Sequence, residues 1–264
     1  MSHTKSIYIE KLRLSKGSVE SLLLKDCVIS EERIAFYLNG KKLLSVMSIP
    51  QEQDLHIVGF LISEGVIGDV SCIKSLKIAE NGLSVWLEAD INECALDGLF
   101  REKTLTSGCC VGVAGNLEGR VVERFVESQI KLESKRLFSL LREFEIPTPL
   151  FERTGCVHKA MLVLGEKRLV CEDIGRHNAI DKVMGKAALS GLNTSDSVLF
   201  VSGRLSLEMV IKAVMHNIPI VISKAAATLM GVKAAQETGV TLIGFARGNS
   251  ANVYTHGGRV VING

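Results

Sequence analysis

The stretch Val198-Leu-Phe-Val-Ser-Gly-Arg-Leu-Ser-Leu-Glu-Met-Val-Ile-Lys-Ala-Val-Met-His216, followed at once by Asn-Ile-Pro-Ile-Val-Ile222, decides the fold. An apolar run ends at Ser202-Gly203, a helix-length segment fills Ser206 to His216, and a second apolar run starts at Ile218. A strand, a helix of about three turns and another strand in so little chain leave parallel pairing as the economical arrangement, because the helix supplies the crossover. The same grammar continues on both sides. Upstream lie a strand pair, 157–164 and 167–174, and a helix over 178–189; downstream come a helix over 228–237 and a strand over 241–246. Two short stretches, 251–255 and 259–262, are expected to finish the sheet edge, and Cys156 and Cys171 fall within expected strands and should be buried. The fold class is α/β, with helices on both faces of a sheet.

The first 90 residues read differently. Asn39-Gly40 and Asn81-Gly82 are each flanked by apolar positions, as in β-hairpins whose tight turns need positive φ at both central residues. Between them, Pro50 near the start, acids in the early turns and Gly65 just past the end frame a helix. Its residues Leu55, Val58, Leu61 and Ile62 share one face and belong to a core, whereas His56 is expected at the surface. A short helix over 92–100 leads into Thr106-Ser-Gly-Cys-Cys-Val-Gly-Val-Ala-Gly-Asn116, a run of glycine and small residues that reads as a loop. A helix over 133–144 follows, ended by Pro147-Thr-Pro149. We divide the chain into a smaller N-terminal α+β domain, residues 1–130, which carries the loop, and a larger domain, residues 131–264.

With 264 residues, 47% of them hydrophobic, the chain can bury enough surface to fold without disulfides or a structural metal. Its 31 basic and 29 acidic side chains nearly cancel, which speaks against a dedicated nucleic-acid binder, so any anion site must be local. One candidate is the stretch from His216 to Gly264, where Lys224, Lys233, Arg247 and Arg259 face only Glu237. The N-terminus lacks the apolar core of a signal peptide and no apolar run could span a bilayer, so a cytosolic protein without membrane partners is expected. Seven cysteines without a C-x-x-C, and no H-x-E with P-C-x-x-C, give neither a disulfide framework nor a zinc site; no metal is expected.

In an open α/β sheet, ligands settle at the carboxyl ends of strands beside helix N-termini. Three such junctions carry unusual residues: Asp173-Ile-Gly-Arg176-His177-Asn178, with Asp181 and Lys182 beyond; Ser202-Gly203-Arg204-Leu-Ser206-Leu-Glu208; and Ser223-Lys224-Ala-Ala-Ala-Thr228. Two arginines, a histidine and several free amides suit a phosphate-bearing ligand. Asn178, Ser202 and Ser206 can equally be helix caps, Arg176 and Arg204 can form structural ion pairs, and His177 can be a hydrogen-bonding residue, a proton carrier or a stacking partner. Cys109 and Cys110 lie in the glycine-rich loop, where exposure and backbone amides favour thiolate; buried inert thiols are the alternative.

These residues resemble the formate dehydrogenase accessory sulfurtransferase (FdhD) family. The likeness runs through Gly59-Phe-Leu-Ile-Ser-Glu-Gly65, Thr154-Gly155 with His158, the 173–182 and 202–213 blocks, and Gly244-Phe-Ala-Arg-Gly248 with Tyr254, all in the same order. The resemblance implies a cytidine-deaminase-like, three-layer α/β/α C-terminal domain without deaminase zinc ligands, and a homodimer. It also implies a sulfur carrier that accepts persulfide sulfur from a cysteine desulfurase. The sulfur would pass to a molybdenum (or tungsten) bis-pterin guanine dinucleotide cofactor, bound transiently as substrate, for formate dehydrogenase. Where the family has T-S-x-C-x-x-C-G, Cys109 stands at the first cysteine position, Gly112 occupies the second, and Cys110 is an extra neighbour. By resemblance Cys109 is the carrier and Cys110 its helper. Phe245, Ala246, Arg247, Gly248, Asn249 and Ser250 match the segment that contacts the guanine dinucleotide. Arg176, His177, Asn178, Ser202, Gly203, Arg204 and Thr228 complete the expected cofactor site. Further departures are Ala225-Ala-Ala-Thr228 in place of S-A-P-T, and Cys156 in place of a glycine. A cofactor-binding chaperone that moves no sulfur is the alternative reading, and a zinc nucleoside deaminase a third.

Overall fold

The computed structural model describes residues 3–101 and 124–262. A long antiparallel hairpin comes first, β1 (Thr4–Ser15) and β2 (Ser18–Ile29). It forms a two-stranded sheet of its own from paired twelve-residue strands. β3 (Glu32–Leu38), β4 (Lys41–Ser48), α1 (Gln53–Ser63), β5 (Ile73–Ile78), β6 (Ser84–Ala89) and α2 (Glu93–Arg101) follow. Their strands make one sheet in the order β4-β3-β6-β5. Asn39 and Gly40 take φ of 48° and 78° in the β3–β4 turn, as the tight turn requires. The second Asn-Gly pair also joins antiparallel strands, but differently. Only Gly82 has positive φ, while the Asn81 side chain accepts a bond from the Leu83 N–H, so the loop is wider than a two-residue turn.

The rest of the chain builds β7 (Leu132–Glu133), α3 (Ser134–Glu145), α4 (Pro149–Thr154), β8 (His158–Leu164), β9 (Lys167–Asp173), α5 (Arg176–Leu189), β10 (Ser197–Val201), α6 (Leu207–Met215), β11 (Ile220–Ser223), α7 (Leu229–Thr238), β12 (Thr241–Arg247), β13 (Ser250–Val253) and β14 (Val260–Val261). Six strands form the main sheet in the order β13-β12-β11-β10-β8-β9, with β10, β11 and β12 parallel. β14 does not finish its edge as expected, but pairs in parallel with β7.

Alternation along the strands sorts their side chains onto two faces. Leu162, Leu199, Val201, Val221 and Leu242 pack with α5, α6 and α7, while Met161, Val198, Phe200, Ile220 and Ile222 pack with Leu137, Leu140, Leu141 and Phe144 of α3. The result is three layers, with three helices on one face and one on the other. A separate core joins α1 to the four-stranded sheet through Phe36, Val58, Leu61 and Leu87.

α1 also lies against α5, and two glycines let the backbones touch. A Cβ on Gly59 would stand 1.8 Å from the Asp181 carbonyl oxygen, and one on Gly185 would stand 1.9 Å from that of Leu55. Around the crossing, buried polar groups replace hydrocarbon. The Lys212 ammonium donates to both Asp181 oxygens at 2.7 and 2.9 Å, and the Ser63 hydroxyl donates to Asp181 at 2.9 Å. Burial pushes the Glu64 carboxyl up to about 7 even with Lys212 nearby.

At the other end of α5, Asp173 is fully buried. One of its oxygens accepts from Ser48 Oγ at 2.6 Å, from the Ile49 N–H at 3.3 Å and from Lys182 Nζ at 2.6 Å. The other accepts from the Gly175 N–H at 3.1 Å and from Asn178 Nδ2 at 2.8 Å. Burial opposes ionisation, but Lys182 and these donors prevail and hold the carboxyl below its ordinary value. His56, expected at the surface, is 1% exposed and stands edge-on to Phe36 at 5.1 Å. Helical periodicity misplaced it because α1 is covered on two sides, by the small sheet and by α5. Burial, reinforced by Lys182, lowers its pKa to about 4.

Two outcomes follow from this packing. Gly59→Ala or Gly185→Ala forces the helices apart and should cost about 3 kcal/mol or more in urea unfolding; a loss below about 1 kcal/mol would contradict the crossing. His56 binds its proton in the unfolded chain near pH 6.5 but in the folded chain only near pH 4. Its contribution is therefore complete above about pH 6.5 and disappears as pH falls to about 4, a swing of roughly 3 kcal/mol. His56→Leu should flatten the decline of stability between those pH values.

Candidate functional site

Topology gathers the chemistry-bearing residues at one edge of the main sheet. β10, β11 and β12 run parallel and end there, at Val201, Ser223 and Arg247. β8 is antiparallel to β10 and β9 to β8, so β8 begins and β9 ends at the same edge, where His158 pairs with Asp173. Helices α5 and α6 start from this edge, and their N-termini contribute amides and positive dipole ends.

Asp173 shapes the first junction. By accepting the Gly175 N–H it fixes the turn, and α5 begins directly afterwards at Arg176, with Gly175 at the cap position and no side-chain cap. His177, 7% exposed, places Nε2 2.7 Å from the Glu208 carboxylate in the first turn of α6. Asn178 is not the cap. It is buried and donates to the Met47 carbonyl at 2.9 Å and to Asp173, so its amide faces the small sheet rather than the edge.

At the second junction, Ser202 Oγ lies 2.9 Å from His158 Nδ1 and accepts from the Lys159 N–H at 3.0 Å. Burial depresses the His158 pKa, with Arg176 and His177 adding to it. Gly203 is buried because Arg176 lies across it: a Cβ there would meet Arg176 Cδ at 2.6 Å. Arg204 is exposed, and Ser206 stands at the N-cap of α6 without a side-chain cap bond. Its hydroxyl is buried with no hydrogen-bond partner among the described residues.

At the third, Ser223 Oγ donates to the Gly203 carbonyl at 2.6 Å and accepts from the Ala225 N–H at 3.0 Å, stitching two strand ends together. Thr228 caps α7 by accepting the Gly231 N–H at 3.1 Å. In the last segment Arg247 Nε donates to the Lys224 carbonyl at 2.6 Å, and its guanidinium sits 5.8 Å from the Phe245 ring. Phe245 takes φ of 50°, a left-handed conformation that bulges the chain between β12 and β13 and leaves the ring 41% exposed. Gly248, Asn249 and Ser250 are exposed at the following turn, whereas Ala246 is buried in the sheet core.

The edge therefore unites Arg176, His177, Ser202, Gly203, Arg204 and the 245–250 segment, and turns Asn178 and Ala246 inward. Of the four cations counted near the C-terminus, Arg259 serves elsewhere. It donates to the Gly239 carbonyl at 2.5 Å and the Val126 carbonyl at 3.0 Å, where β12 begins. Sequence reasoning gave no role to Glu208 and did not foresee the contact of His158 with Ser202; those residues are 31 and 44 positions from their partners, and no local pattern links them. Cys156, expected in a strand and buried, is exposed just before β8. Cys171 is buried in β9, and burial pushes its thiol up to about 12. Cys109 and Cys110 lie outside the described residues. Among those residues no group of three or more His, Cys, Asp or Glu side chains could hold a metal ion, and no helix is long and apolar enough to cross a membrane.

Comparison with known proteins places this arrangement. Residues 29–261 match the FdhD/NarQ family. The chain is 55% identical to the sulfur carrier protein FdhD of Wolinella succinogenes, across 98% of this chain and 92% of that one. It is 33% identical to the sulfur carrier protein FdhD of Bacillus subtilis, across 94% and 95%. A crystal structure of a proposed formate dehydrogenase accessory protein from Desulfotalea psychrophila superposes with a TM-score of 0.77 at 25% identity, covering 97% of this chain and 99% of the other. With the matched region spanning the four-stranded and six-stranded sheets and every strand-end junction, the chain belongs to the FdhD/NarQ family.

Proposed function

We propose that this protein is a sulfur carrier for formate dehydrogenase maturation. Cys109, helped by Cys110, accepts sulfur from a cysteine desulfurase and passes it to a molybdenum or tungsten bis-pterin guanine dinucleotide cofactor held transiently at the strand-end edge. The observation that carries this reading is the edge itself. Arg176, Arg204 and Arg247, the N-termini of α5 and α6 and the His177–Glu208 pair converge there, in a chain whose relatives bear the name sulfur carrier. Cations and amides suit pyrophosphate oxygens. In the loading step the Cys109 thiolate attacks the outer sulfur of the donor persulfide. The donor's inner sulfur leaves as thiolate and takes up the proton that Cys109 gave up. The cofactor supplies the metal that receives the sulfur; the protein's residues bind and orient it.

Loading is tested by mass spectrometry after incubation with a desulfurase and cysteine. The peptide containing Cys109 should gain one sulfur, Cys109→Ala should abolish the gain, and the exposed Cys156 should stay unmodified. Sulfur found on Cys156 instead, or undiminished loading of the Cys109→Ala variant, would overturn the assignment. Gly112 at the second cysteine position of the family loop supports a second reading, a chaperone that holds the cofactor without moving sulfur. It requires the Cys109→Ala/Cys110→Ala double variant to sustain formate dehydrogenase activity in cells.

The proposal includes a homodimer, which the β1–β2 hairpin supports. Leu14 and Leu23 are 76% and 77% exposed, and the strand register places them on one face of the ribbon. A two-stranded ribbon with such a face is marginal in water unless covered. Light scattering should find a dimer for the native chain and a monomer for Leu14→Lys/Leu23→Lys; a native monomer at micromolar concentration would remove the dimer from the proposal.

A further inference from the structure

The four-stranded sheet packs its inner face on α1, where Ile34, Phe36, Leu38, Val85 and Leu87 are buried. By the period of two along a strand, the residues between them point the other way. On that outer face Met47 and Trp86 are 40% and 39% exposed, and Arg33 is exposed with them.

Strand register sets the outward residues in rows. Lys42 stands opposite Tyr37, Tyr37 opposite Trp86, and Trp86 opposite Lys77. One row therefore crosses all four strands, with a cation at each end and two aromatic rings between. The rings stack, their centroids 5.2 Å apart and their planes 20° from parallel. The next outward row holds only small, half-buried side chains, Ser45, Ala35 and Ser84, and beyond it Arg33 stands opposite Met47. The aromatic row is thus a ridge, the small residues a floor, and Arg33 with Met47 the far wall of a trough that crosses the strands. Ridge and wall are separated by the length of β3 from Tyr37 to Arg33, about 13 Å, which admits an extended chain.

The chemistry of this trough is that of an interface centre, where tryptophan and tyrosine carry most of the contact energy and charged groups form the rim. Arg33, Lys42 and Lys77 form no ion pair among the described residues, and the acid on the same face, Glu88, stands opposite Ser75. Cations therefore outnumber acids there and are available to an anionic partner. The two ends of the ridge lie three strand spacings apart, about 14 Å. In an extended peptide, residues i, i+2 and i+4 share one face, and the outer two are also about 14 Å apart.

We propose that this trough docks an extended acidic segment of a partner protein, with carboxylates at i and i+4 meeting Lys42 and Lys77 and an apolar side chain at i+2 packed against the edges of Tyr37 and Trp86. A second copy of the chain is a poor occupant, because two such faces would oppose like charges. A nucleic acid is also a poor one: its bases need free ring faces, and each of these rings has given one face to the other. The ridge lies near the start of β4, whose far end meets Asp173, and the docking does not depend on the sulfur chemistry.

Trp86 reports its own occupancy, since the chain has no other tryptophan. A peptide centred on Glu-Thr-Leu-Thr-Glu, titrated into the full chain at low salt, should shift that emission to the blue and saturate. It should bind about tenfold tighter or more than its counterpart with both glutamates replaced by lysine. Moving one glutamate by a single position turns it to the opposite face of the peptide and should cost about threefold. Anisotropy of labelled peptides reads the variants. Lys42→Glu/Lys77→Glu should weaken the acidic peptide about tenfold or more and bind the lysine counterpart instead, while melting like the native chain, because both side chains are exposed. Trp86→Ala should weaken the acidic peptide severalfold. No emission change at millimolar peptide, equal affinity for the acidic and lysine peptides, or undiminished binding of the acidic peptide by Lys42→Glu/Lys77→Glu would each overturn the proposal. Tighter binding of oligothymidylate than of the acidic peptide would overturn it as well, and would make the face a nucleic-acid surface.

Discussion

The buried carboxylate of Asp173 is the constraint on which the arrangement depends. One oxygen holds the end of β4 through Ser48 and Ile49 and pairs with Lys182; the other holds the turn into α5 through Gly175 and Asn178. Pairing alone does not make such an ion pair favourable, because removing two charges from water costs several kcal/mol per ion, and only a nearly complete set of bonds offsets it. Asp173 has that set. A single group therefore couples the small sheet, α5 and the edge of the main sheet, and it sets the direction in which Arg176 and His177 leave the strand.

A second consequence concerns charge. The interior between α1, α5 and α6 holds Asp181, Glu64 and Lys212, with His216 pushed down to about 4 by burial. There Lys212 pairs directly with Asp181, and burial pushes the Glu64 carboxyl up to about 7. At the edge the tally differs. Arg176, Arg204, Lys224 and Arg247 are cationic, and Glu208 and Glu145 are each matched to a specific neighbour, His177 and Lys224. The excess positive charge is thus local, in a chain whose net charge is only +2, and it coincides with two helix N-termini. Anion recognition needs that coincidence rather than a basic protein.

Much of this was legible in the sequence. Strand–helix alternation is written in local periodicity, so the elements from 157 to 246 lie within a few residues of expectation. The Asn39-Gly40 turn and the stop at Gly65 are local as well, since both need positive φ. What escaped was set by partners distant in sequence. His56 is buried because a sheet and a helix both cover α1, which periodicity within one helix cannot express. β14 chose β7, more than 120 residues away, over the nearby edge. Glu208 had the appearance of a first-turn acid and became the partner of His177 only once α5 and α6 stood side by side. Asn178 and Thr228 show the converse. Their types suit ligands, yet one ties the small sheet to α5 and the other caps α7.

Thiol chemistry narrows the choice of carrier by a similar physical argument. A sulfur carrier needs a sulfur that ionises near neutral pH and can be reached by two large partners in turn. Cys171 meets neither condition, because strand burial raises its thiol far above neutrality. Cys27 is half-buried at the root of the hairpin, where Arg153 lies 3.4 Å from its sulfur and also holds Thr4, so its surroundings serve to anchor β2. Cys72 is half-buried among the side chains of the small-sheet core. Cys94 and Cys156 are exposed, but only Cys156 lies beside the edge, two residues before His158. Among the described cysteines it is therefore the exposed one beside the strand-end edge. Sulfur is transferred only over bonding distance, so a carrier must approach the cargo and then a donor, and a thiol fixed at the start of a sheet strand is poorly suited to both. That constraint weighs against Cys156 as a carrier.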